Sequence, residues 1–102
     1  MKYTRLFLLD NLEFCAAILR EDQHSEIALK ARQAKTELER LIRACDAPGL
    51  NAVEFRVGIR PLVKAQLDKV KKAPFSQAKE DYMQVLKNAL REIDSLPGSP
   101  LA

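Results

Sequence analysis

Between residues 27 and 45 the apolar side chains fall at Ile27, Ala31, Ala34, Leu38, Leu41 and Cys45, at intervals of four, three, four, three and four. An α-helix returns those positions to one stripe, and the strict alternation is that of a heptad seam. Lys30, Arg32, Lys35, Glu37, Glu39, Arg40 and Arg43 make up the other face, with charges of both signs that belong in water. A chain with such a segment must bury the stripe against other helices.

Residues 4–21 repeat the helical period with Leu6, Leu9, Leu12, Ala16 and Leu19, widened by Phe7, Leu8, Phe14, Cys15 and Ile18. An arc that wide belongs to a helix packed on more than one side, or to one that also meets a partner. The polar residues 21–25 separate it from a second helix over 25–45, with Asp22 and Ser25 as N-cap candidates. Pro48 and Gly49 stop that helix. A last helix is expected over 77–95. Ser76 is its cap, and its seam is Tyr82, Val85 or Leu86, Ala89, Ile93 and Leu96.

Two patterns compete in the third segment. Val53, Phe55, Val57 and Ile59 alternate with Glu54, Arg56, Gly58 and Arg60, the period of a half-buried strand. Ala52, Phe55, Ile59, Leu62, Gln66 and Val70 form a helical seam, with Val63 and Leu67 alongside. Asn51 and Glu54 have the spacing of a capping box. No second strand pattern exists for a lone strand to pair with, so the reading is a helix over 52–73, kinked near Pro61. The chain of 102 residues is the size of one core. The expected fold is therefore an all-α antiparallel four-helix bundle, a single domain over 1–96 with a flexible tail at 97–102.

The apolar run at residues 6–9 stops at Asp10, short of the roughly 7–15 residues of a signal-peptide core. No stretch approaches the roughly 20 apolar residues of a membrane helix. The expected setting is the cytoplasm, with no membrane span. Cys15 and Cys45 would lie on the order of 20 Å apart along a helical hairpin, far beyond the ~7 Å that a disulfide tolerates, and read as small buried thiols. Together with the single histidine, His24, they are too few for a zinc site. The spacing of Glu21 and His24 is that of di-iron bundles, but it occurs once, at a turn. Glu13, Glu37, Glu54 and Glu92 read as solvated acids on polar faces. No phosphate-loop, dinucleotide, zinc-protease or nucleophile-elbow motif is present. These features point to a non-enzymatic protein without cofactor or metal, with an enzyme whose site is assembled from ordinary residues as the alternative.

Charge is unevenly placed. Residues 1–50 hold eight basic and eight acidic side chains, whereas residues 51–102 hold nine and six, which accounts for the whole net charge of +3. On a continuous helix Arg56, Arg60, Lys64 and Lys71 share an arc of roughly 80°, with Lys72 beside them. This basic ridge (Arg56, Arg60, Lys64, Lys71, Lys72) is the candidate partner-binding site, alongside any excess apolar area of the first helix. The expected function is binding to another protein with an acidic surface, in the manner of a small regulator, adaptor, chaperone or toxin-neutralising factor. Nucleic acid is the alternative partner for the same ridge. The regular seams of the second and fourth helices also suit a homodimer.

Overall fold

Each predicted helix is present in the computed structural model, which describes residues 1–47, 49 and 51–97. Helix α1 is Lys2–Glu21 and α2 is Glu26–Cys45; the third segment is α3 (Ala52–Glu54), a π-helical turn (Phe55–Ile59) and α4 (Arg60–Lys71); α5 is Gln77–Asp94. Pro48 and residues 98–102 of the expected tail lie outside the described residues.

The polar side chains before the helices do what their positions predict. Ser25 Oγ accepts from the Ala28 amide at 3.2 Å, Asn51 Oδ1 from Glu54 at 3.2 Å and Ser76 Oγ from Lys79 at 3.1 Å. Each satisfies an amide that the first helical turn leaves unpaired. Ser76→Ala should therefore lower stability by about 1 kcal/mol, read as a lower urea midpoint, whereas Ser76→Asp should restore it. Gly49 has φ +76°, the left-handed conformation that lets the chain turn after α2 at little steric cost.

The third segment is helical, and the period-two reading falls away. Phe55 and Ile59 are buried while Val53 and Val57 are exposed. The π turn accounts for both the pattern and the proline. Pro61 has no amide hydrogen, and in an α-helix its ring would press on the carbonyl four residues back. The backbone widens just ahead of it, and the Arg60 amide reaches back five residues to the Phe55 carbonyl. The buried line is Phe55, Ile59, Val63 and Leu67, with Leu62 left outside. The expected seam through Leu62 and Gln66 is thereby corrected.

Helix α1 lies between α2 and α5, and α5 packs α4 on its other side. Thr4 meets Glu92, and Asp10 and Phe14 share a pocket with Tyr82, so α1 and α5 are antiparallel. Consecutive hairpins then place the α1–α2 and α4–α5 turns at one end of the molecule. Helix α2 meets the start of the third segment near the other end, where Arg40 bonds Glu54 of α3 and Leu41 shares a pocket with Ile59 of the π turn. The molecule measures 46 × 35 × 19 Å, about two helices thick.

The core collects where all segments converge, with Leu8, Phe55, Val63, Leu86 and Ile93 its largest fully buried apolar side chains. Cys15 and Cys45 are buried, unbonded thiols. The outer half of the α1–α2 hairpin is closed by small residues, Cys15, Ala28 and Ala31. The seam expected for α1 is corrected: Leu6 and Leu9 are exposed and the buried line runs through Thr4, Phe7, Leu8 and Cys15. In α2, Ile27 and Ala34 are likewise exposed, while Ala28 takes the buried place.

Candidate functional site

The structure gives most of the basic ridge intramolecular partners. Arg60 makes a two-point bond to Asp94, Nε to Oδ1 at 2.7 Å and Nη2 to Oδ2 at 3.2 Å. The guanidinium bonding to Asp94 holds that carboxyl below its ordinary range. Arg56 donates to the Leu96 carbonyl, and its Nη1 is buried without a hydrogen-bond partner among the described residues. Lys64 pairs with Asp68 at 3.2 Å. Lys71 and Lys72 alone among the five keep free ammonium groups among the described residues, near the α4–α5 turn.

A second feature lies beside the ridge. Because α2 meets the third segment only at α3 and the π turn, an apolar groove of about 290 Å³ opens between α2 and the start of α4, floored by α1. Phe7, Leu8 and Cys15 form its floor, Leu38 and Leu41 one wall, and Ile59 and Leu62 the other. Phe14 and Leu62 stand at its mouth, 68% and 57% exposed. Glu37, on the α2 wall, is tied to Arg40, which bonds Glu54 as well. The Arg40 bond holds the Glu37 carboxyl below its usual range.

Past Phe14 the groove adjoins a more polar pocket lined by Asp10, Asn11, Gln66, Lys69 and Tyr82. Partial burial pushes the Tyr82 hydroxyl above its ordinary pKa, helped by the nearby Asp10 carboxylate and opposed by a hydrogen bond with Gln66. This end therefore offers one charge of each sign and a phenol that stays protonated at neutral pH.

Potential catalytic groups remain apart. His24 is exposed in the α1–α2 turn, where its amide donates to Asp22 at 3.0 Å. Burial pushes the Cys45 thiol above its ordinary pKa, away from a reactive thiolate. Among the described residues no three His, Cys, Asp or Glu side chains gather as metal ligands would, and no helix is long and apolar enough to cross a membrane.

The sequence misassigns one acid. Glu92, expected to be solvated, accepts from the Tyr3 amide at 3.0 Å, the Thr4 amide at 2.8 Å and Thr4 Oγ1 at 2.9 Å. It supplies from α5 the N-terminal cap that α1 lacks locally. Partial burial pushes its carboxyl up, but these bonds and the chain's amino group outweigh that and hold it below the usual carboxylate range. The fully buried Thr4 is explained by the same contact.

No known protein family, curated protein or solved structure matches the chain.

Proposed function

We propose that the protein is a non-enzymatic binding module that receives an amphipathic helix of a partner protein in the groove between α1, α2 and α4. The observation that carries this reading is the apolar mouth of the groove, where Phe14 and Leu62 stand in solvent over a floor of core side chains. In a closed four-helix bundle each helix has two neighbours. Here α2 and α4 leave a gap in the ring, and a helix laid along it completes the packing. Glu37, the charged side chain in the groove's lining, is already paired with Arg40, so the groove asks its occupant for an apolar stripe rather than for a particular charge. The expected acidic-surface contact through the ridge is the weaker support, because Arg56, Arg60 and Lys64 already have partners. The same pairing leaves the nucleic-acid alternative only Lys71 and Lys72 of the ridge for phosphates.

Photo-crosslinking tests the proposal. A benzophenone side chain at position 14 or 62 should give a discrete adduct to one partner in extracts of the source cell. The same group at exposed Lys87, on α5, should not. Adducts of equal yield and composition from all three positions would remove the groove as the docking site. Leu62→Glu should abolish the adduct at position 14 while changing stability by less than about 0.5 kcal/mol, because Leu62 is exposed.

A further inference from the structure

The α4–α5 turn gathers cations that the fold does not use. Lys69, Lys71 and Lys72 make no ion pair or side-chain hydrogen bond among the described residues, and the nearby Asp68 is taken by Lys64. Lys79 bends its ammonium back onto the Lys71 and Ala73 carbonyls, at 3.2 and 2.7 Å, bracing the turn. Between them stand Pro74 and Phe75, the latter 78% exposed, the largest exposure of any large apolar side chain among the described residues. Residues 69–81 hold these four lysines against two acids, Glu80 and Asp81, and Asp81 accepts a bond from Gln77 at 3.0 Å.

Two features select the counterpart. The first is the choice of cation. The arginines of this segment, Arg56 and Arg60, serve the fold, and the turn carries only lysines. Lysine is a flexible, hydrated point charge that can follow loosely placed phosphates, and it is depleted at protein–protein interfaces, where arginine is enriched. The second is shape. Phe75 projects from a convex turn, so a folded protein partner would need a pocket built around it. A bilayer offers an apolar layer just beneath its charged surface, with no such requirement. The other turn at this end carries Glu21 and Asp22 outside any ion pair among the described residues, so the α4–α5 turn and not that one is the lipid-facing element. There Lys30 lies 3.9 Å from Glu26, and Arg32 donates to the Gln23 carbonyl beside Asp22.

We propose that the α4–α5 turn docks the protein on an anionic lipid surface, with Phe75 entering below the headgroups and Lys71 and Lys72 on their phosphates. The docking is peripheral and reversible, since one aromatic side chain and a pair of lysines anchor far more weakly than a membrane-spanning helix. It uses a surface separate from the groove, which stays open to its partner.

Vesicle cosedimentation of the whole protein tests this. At about 50 mM salt it should bind vesicles of equal parts phosphatidylglycerol and phosphatidylcholine, not phosphatidylcholine alone, and should be released as salt rises. Phe75→Ser should weaken binding about tenfold. Lys71→Gln and Lys72→Gln should each weaken it about fivefold. All three side chains are exposed, so helical circular dichroism should not change. Leu62→Glu should leave vesicle binding as it is. Absence of binding to the anionic vesicles overturns the proposal. Undiminished binding by Phe75→Ser also overturns it, since the turn would then be a site for any polyanion, an acidic protein or nucleic acid included.

Discussion

Phe55→Ala is expected to lower stability by about 3–5 kcal/mol and the Tm by more than about 12 °C. Phe55 has no exposed surface, and it sits in the π turn where α5 and the third segment close the core. Truncating it removes buried area and leaves a cavity that rigid neighbours fill only in part. Small domains hold roughly 5–15 kcal/mol in total, so the variant would approach the unfolding threshold at growth temperature. Val57→Ala is the internal control. Val57 lies two residues away but is 72% exposed, and its loss should cost less than about 0.5 kcal/mol. Thermal melts of the two variants check the burial pattern directly: equal effects would contradict the π-helical arrangement, and equal large effects would favour a segment buried on both faces.

Glu92→Gln should cost about 2–3 kcal/mol at pH 7, because three donors at the start of α1 lose a charged acceptor. The effect has a defined pH dependence. The folded-state pKa of Glu92 is below its ordinary value, which is about 4.3 in an unfolded chain. Its contribution is therefore complete above that value and is lost as pH falls through the lower, folded-state pKa. Urea midpoints of the parent and the variant should differ by a constant amount from pH 7 to about pH 5 and converge in stronger acid. A difference that stays constant into acid would mean that Glu92 acts through packing rather than as a carboxylate.

These two residues also show what can be read from sequence alone. The seam of α5 was legible apart from the choice between Val85 and Leu86, which the structure settles for Leu86; Ala89 and Ile93 are buried with it, while Tyr82 and Leu96 at the seam's ends are half-buried. The caps Asn51 and Ser76 were plain, because a cap depends on the three residues that follow it, and of the two candidates Asp22 and Ser25 it is Ser25 that caps α2. Helix α1 was legible as a helix but not in its facing. Its apolar arc offers several stripes, and the choice among them depends on α2 and α5 flanking it together. Glu92 could not be recognised, because its partners are 88 and 89 residues away. The ridge was drawn on a uniform helix, yet the π turn changes the angle between Arg56 and the residues after it, and Asp94 reaches Arg60 from another helix. The groove left no mark of its own: Leu62 reads as one more seam residue, and it is exposed only because α2 and α4 diverge.

A π turn is an α-helix with one residue inserted, and the third helix therefore carries a change of phase. Everything ahead of residue 55 is rotated relative to everything after residue 59 by the angle of one residue, about 100°. Deleting a single residue there would leave an unbroken helix with its two halves brought back into phase. Phe55 would then swing off the line of Ile59, Val63 and Leu67, and the Pro61 ring would again meet an α-helical carbonyl. The chain holds one more residue at this point than the helix needs to span the core, and that surplus residue is what keeps an aromatic side chain and a proline in the same helix.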